Sequence, residues 1–187
     1  MVDLALVFLT DELNTFIASR MGPGLRADLT RIVDDAGRYV LTEPIGVHLV
    51  AVEEERAFRA QLPTVTHVNG RDVVQQPELQ LNLYVLIAAN NATYRVALGH
   101  LALVLTFFQA HSVFTADQYP ALDARIAKLT VELMSLSFEQ LNQVWAAIGA
   151  KQLPSVVYKV RTVVVQDVEP AGIQIPITSI NSTLLHR

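Results

Sequence analysis

Apolar residues alternate one for one with polar residues over several stretches of this chain and recur every third or fourth residue over others, so strands and helices can be placed by period. Leu6, Leu9, Leu13, Phe16 and Ile17 keep the helical spacing, predicting an amphipathic helix over residues 2–20 that Gly22-Pro23-Gly24 ends. Residues 29–33 form a short strand candidate. A longer one spans 46–54, with Val47, Leu49 and Ala51 on one face and His48, Val50 and Val52 on the other. Apolar side chains on both faces predict a central strand, and it runs out into Glu53-Glu54-Glu55-Arg56.

Residues 57–78 hold Pro63, Asn69-Gly70 and Pro77 with little periodicity, which predicts a variable, mobile loop apart from a small hairpin at Asn69-Gly70. Alternation returns over 79–88, where Leu79, Leu81, Leu83, Val85 and Ile87 oppose Gln80, Asn82, Tyr84, Leu86 and Ala88. Asn90-Asn91 offers a turn and a helix cap, and residues 92–110 read as an apolar helix buried in the core. Its apolar run from Val96 to Ala110, broken by His100 and Gln109, falls short of the roughly 20 residues that span a bilayer.

Residues 124–136 fit either period, and Thr130-Val131 favours the strand. Ser137 then caps a helix with Gln140 at the reciprocal position and Leu136 facing Leu141; the helix carries Trp145 and stops at Gly149. Past Pro154, residues 155–165 read as one long strand. Its even positions Val156, Tyr158, Val160, Thr162 and Val164 form an apolar face, while Lys159 and Arg161 stand on the odd face. Residues 169–187, with Pro170, Pro176, Ile173, Ile175, Ile177 and Ile180, read as an extended arm too apolar for a solvated tail.

This order predicts an α+β fold: a single domain with a mostly antiparallel or mixed sheet of about four main strands, flanked by three helices and followed by an extended C-terminal arm. The expected division is a domain over 1–168 and an arm over 169–187. At 187 residues the chain can bury a full core without metals or disulfides. Its composition is 51% hydrophobic and only 17% charged, against roughly 25% charged in ordinary soluble domains, so part of the apolar surface is expected to meet another chain.

The net charge of −4 gives no basic footprint for nucleic acid. With no cysteine, thiolate metal sites and cysteine nucleophiles are ruled out. The apolar N-terminus carries Asp3, Asp11 and Glu12 and no basic lead, so it reads as a retained helix rather than a signal peptide.

Candidate chemistry is sparse. The five histidines His48, His67, His100, His111 and His186 show no metal-ligand spacing. His100 reads as a core or interface histidine, with a small hydrolase using His100 or His48 as the enzymatic alternative. Gly22-Pro23-Gly24 and Gly149-Ala150-Lys151 lack the remainder of a phosphate loop, and Ser155 lies in no nucleophile elbow. Phe107-Phe108 and Trp145 suit core packing. Glu53 and Glu55 share a strand face and are the expected partners of Lys159 and Arg161, within a subunit or between subunits.

The words of the sequence add a family. Phe8-Leu9-Thr10-Asp11-Glu12-Leu13-Asn14, Val52-Glu53-Glu54-Glu55-Arg56, Leu81-Asn82-Leu83-Tyr84-Val85-Leu86, Phe107-Phe108-Gln109, Leu136-Ser137-Phe138-Glu139 with Trp145, and Leu153-Pro154-Ser155 followed by Tyr158-Lys159-Val160-Arg161 run in order along nearly the whole chain. In these it resembles the cap, or tail-terminator, proteins of phage-tail-like contractile injection systems of the antifeeding-prophage and virulence-cassette type. The resemblance implies a structural subunit with no catalysis and no cofactor. It implies a homohexameric ring on the end of the inner tube that contacts the last sheath layer, without nucleic acid or membrane insertion.

Assembly would then take place in the bacterial cytoplasm, and the subunit would stay with the particle. Another tube, baseplate or adaptor subunit of the same particle is the alternative. The candidate interface comprises Glu53, Glu55, Lys159 and Arg161, and the arm residues Ile173, Ile175 and Ile177, which are expected to dock on a neighbouring subunit or the last sheath subunit.

Overall fold

The computed structural model describes residues 1–55, 64–68, 71–75, 79–164 and 173–174. Among the described residues nine strands and three helices follow the order α1 (Val2–Met21), β1 (Ala27–Leu29), β2 (Ile45–Glu54), β3 (Thr64–Val68), β4 (Arg71–Gln75), β5 (Leu79–Ala89), α2 (Tyr94–Ala110), β6 (Val113–Thr115), β7 (Ile126–Leu133), α3 (Phe138–Ile148), β8 (Ser155–Val164) and β9 (Ile173–Gln174). The class is the expected α+β. The strands are more numerous than the four main ones expected, because β1 and β6 are three-residue edges too short to show a period.

One mixed sheet runs β1-β2-β5-β8-β7-β6, parallel only at β1 and β2. A second, small sheet runs β3-β4-β9. Its β3 and β4 lie in the stretch read as a variable loop; Val68 stands opposite Arg71, so Asn69-Gly70 is the two-residue connection. Val73 pairs with Ile173 and Asp72 with Gln174, which brings the backbone of the arm's first isoleucine onto a strand of its own chain.

The large sheet has one helix pair on one face and a single helix on the other. On the first face α1 buries Ala5, Leu6, Leu9, Leu13 and Ile17, and α2 adds Val104, Phe107 and Phe108. They pack on Leu83, Val85, Ile87, Val131 and Val160. Aromatic rings fill this layer: Phe8 meets Phe114 edge-on at 5.6 Å, and Phe108 lies 4.7 Å from Tyr158.

On the second face α3 sets Trp145, only 2% exposed, over Leu86, Ala88 and Val157. The α3 ends are those expected. Ser137 and Gln140 cap each other reciprocally, and Gly149 closes the helix at φ +77°, a conformation that favours glycine.

The small hairpin expected within residues 57–78 is formed by β3 and β4. Two other expectations are corrected. The N-cap of α2 is Thr93, not Asn90 or Asn91. And α2 is not buried all round: Ala97, His100, Val104, Phe107 and Phe108 face the core, whereas Tyr94, Val96 and Leu98 are 68%, 42% and 44% exposed. Arg95 is the single charge in this helix, so its sequence carries little contrast from which the buried side could be read.

A third departure positions the candidate site. In β2 the pairing with β5 shifts between Leu49, opposite Val85, and Ala51, opposite Tyr84. One extra residue at a β-bulge turns the rest of the strand over. Strict alternation from Val47 would have aimed Glu53 into the α1 side. After the bulge Glu53 stands opposite Asn82, on the other face.

Candidate assembly interface

The bulge turns Glu53 onto the face that also carries Lys159 and Arg161, and Glu55 lies beside Lys159. Across β2, β5, β8 and β7 the register aligns Glu53, Asn82, Arg161 and Thr130 in one row and Ala51, Tyr84, Lys159 and Glu132 in the next. The even positions of β8 face α1 and α2 as expected, with Tyr158, Val160 and Thr162 buried. Its odd face is divided. Val157 is covered by α3, while Lys159 and Arg161 lie past it and are only partly covered.

Within this face the charges are matched inside the chain. Lys159 Nζ lies 4.0 Å from Glu55 Oε2, and Asn82 Nδ2 donates to the same oxygen at 3.0 Å. The Tyr84 hydroxyl donates to Glu53 Oε2, and this bond, then burial, raises its pKa above the usual tyrosine value. Arg161 is 3.7 Å from Glu132 Oε1, not paired with Glu53 or Glu55. Glu132, Asn82 and Tyr84 were not singled out from sequence, although alternation along β7 puts Glu132 two residues from Thr130 on the same face.

Ile173 is placed in β9 and His67 in β3, and of their side chains nothing is described; Ile175 and Ile177 lie outside the described residues, as do His186 and the other arm residues apart from Gln174.

The opposite face supplies apolar surface. Between the C-terminal half of α2 and the end of β7 runs an open groove of about 470 Å³, lined by Leu105, Phe108 and Gln109 of α2, Val131 and Leu133 of β7, and Tyr158 of β8. No charged side chain lines it, and burial pushes the Tyr158 phenol up to about 12. Leu133 at its mouth is 54% exposed. With Tyr94, Val96 and Leu98 on the same helix, and Phe138 95% exposed at the start of α3, the molecule displays large apolar side chains that its own fold does not cover.

His48 and His111 have separate hydrogen-bond partners. His48 Nδ1 is 3.3 Å from the Thr30 carbonyl oxygen, and His111 Nδ1 is 3.1 Å from the Tyr119 hydroxyl. His100 is 9% exposed on the inner face of α2, where burial holds its pKa below the ordinary value. Among the described residues no group of three or more His, Asp or Glu side chains could hold a metal, and no helix is long and apolar enough to cross a membrane.

A family model described as the Pvc16 N-terminal domain matches residues 7–179. Among solved structures the fold is similar to the sheath/tube terminator of an extracellular contractile injection system, PVC, in its extended state. That match has a TM-score of 0.59 and 14% identity over 97% of this chain and 64% of the other. It is similar also to the anti-feeding prophage cap, a tube-terminating cap, with a TM-score of 0.57 and 14% identity over 96% of this chain and 61% of the other. At such identity the likeness is one of fold. The chain spans less than two thirds of the length of either structure. A comparison with curated protein sequences gives no match.

Proposed function

The chain belongs to the Pvc16 N-terminal domain family, and from that premise we propose that it is the cap, or terminator, subunit of a contractile injection particle. The observation that carries this reading is that nearly the whole chain takes the fold of a sheath/tube terminator and of a tube-terminating cap. In this role six copies close into a ring on the end of the inner tube, contact the last layer of sheath, and end polymerisation. Work of this kind is done by surfaces rather than by a reactive centre. The subunit is made in the bacterial cytoplasm and stays with the particle.

Physical features support a surface role. The exposed apolar side chains of α2 and the groove beside it suit burial against protein, and a cyclic ring needs two different surfaces on each subunit. The charged face is held together mainly by contacts within the chain, so its part is to fix the sheet while the arm over 169–187 and the α2 side make the contacts.

The test is electron microscopy of tube protein polymerised with and without this chain. Single rings at tube ends, and tubes that stop lengthening once capped, are expected. Lateral decoration of tubes, incorporation as repeated rings, or no binding would overturn the reading.

A further inference from the structure

We propose that the groove between α2 and β7 receives the uncharged C-terminal segment, residues 175–185, of a second copy of this chain. This rests on the ring reading and names its donor and acceptor.

The acceptor is described above: an apolar channel without a charged wall, open at Leu133. Beside it the sheet is unfinished. β6 pairs with β7 only as far as Val113 opposite Thr130, followed by the bond from the Val131 amide to the Ser112 carbonyl. Among the described residues no strand lies outside Glu132 and Leu133, so an extended segment laid in the groove also meets a free strand edge.

The donor is picked out by charge. A charged peptide would lose its water in this channel without gaining a partner, which is strongly unfavourable. Residues 170–185 contain no Asp, Glu, Lys, Arg or His. Other long uncharged stretches, in β5, α2 and α3, are already folded into the domain. Ile173, Ile175 and Ile177 alternate, so an extended segment sets all three on one side. Pro176 lacks an N–H and is tolerated where a strand pairs on one edge only.

From residue 175 to 187 an extended chain spans at most roughly 40 Å at about 3.3 Å per residue. A tail on one subunit and a groove on the next are different surfaces, as a closed cyclic ring demands.

The chain has no native cysteine, which makes the test direct. L133C and I177C are placed in separate, differently sized copies, mixed at high concentration, and oxidised both free and bound to tube ends. A D35C copy, changed at a side chain that is fully exposed in the turn between β1 and β2, replaces L133C as the control. A disulfide-linked heterodimer at least tenfold above the control is expected in one or both settings, and deleting residues 175–187 should abolish the ring while the thermal melt is kept.

Rings without the cross-link overturn the groove proposal and leave the cap reading standing. Absence of tube-end binding overturns the cap reading, and the link in free protein then decides the groove on its own; no link there overturns it too. A link that forms only within single copies carrying both L133C and I177C, at high dilution, shows the groove filled by its own tail and also overturns the proposal.

Discussion

Two ion pairs on the charged face set distance against burial. Arg161 and Glu132 are the closer, at 3.7 Å, but their side chains are 40% and 51% exposed. Lys159 and Glu55 are 4.0 Å apart and only 22% and 19% exposed. Coulomb attraction at about 4 Å is about 1 kcal/mol in water and about 4 kcal/mol at the effective dielectric of a protein surface. Exposed pairs keep only about 0–1 kcal/mol of it after side-chain entropy and screening.

Burial therefore decides, and the longer pair should be the stronger. The expected couplings are about 1–2 kcal/mol for Lys159 with Glu55 and below about 0.5 kcal/mol for Arg161 with Glu132. Double-mutant cycles measure each: K159M, E55Q and the double variant, and R161M, E132Q and their double, all by urea unfolding with equal slopes required. The single variants do not suffice, because Asn82 Nδ2 still bonds Glu55 when Lys159 is gone. Equal couplings, or a larger one for Arg161, would refute the reasoning.

Three further outcomes are expected. Burial holds the pKa of His100 down, so between that lowered value and the ordinary value near about 6.5 the unfolded chain binds more protons than the folded one, and stability falls as pH drops through this window. Denaturation midpoints from pH 7.5 to 5 should show this fall and H100L should lessen it; an unchanged slope in the variant would assign it to other groups. S137A should cost about 1 kcal/mol by removing the reciprocal cap of α3, read as a lower midpoint at constant slope, while S137D should recover most of it. W145A, at a side chain 2% exposed, should cost about 3–5 kcal/mol, and a loss under 1 kcal/mol would mean that α3 does not seal its face of the sheet.

What the sequence revealed depended on contrast. β8 was legible because Lys159 and Arg161 interrupt an otherwise apolar strand every second residue, and α3 because Ser137, Gln140 and Gly149 mark both its ends. The exposed side of α2 was not, since with Arg95 as its only charge the inward Val104 and the outward Leu98 look alike. The bulge in β2 was hidden for the same reason: in His48-Leu49-Val50-Ala51 an apolar side chain suits either face, so nothing in the pattern records the turnover that moves Glu53. Arg161 was matched to the wrong carboxylates because its partner depends on which strand lies beside β8, a non-local fact that fixes Glu132 only once β7 is paired.

That internal pairing bears on how the subunit would assemble. Lys159 and Arg161 already have carboxylates within the chain, so using them across an interface would exchange one ion pair for another and gain little. The apolar side chains of α2 have no such commitment, and each Å² they bury contributes about 25 cal/mol. Attraction between exposed charges fades over about 10 Å at 0.1 M salt and over about 3 Å at 1 M, whereas apolar burial does not. Tube-end binding should therefore survive a rise from about 50 to about 500 mM sodium chloride with less than a threefold change in half-saturation, and L98D or V96D should weaken it more than tenfold while leaving the thermal melt in place. A tenfold loss on adding salt, with these two variants binding normally, would put the charged face rather than α2 at the contact.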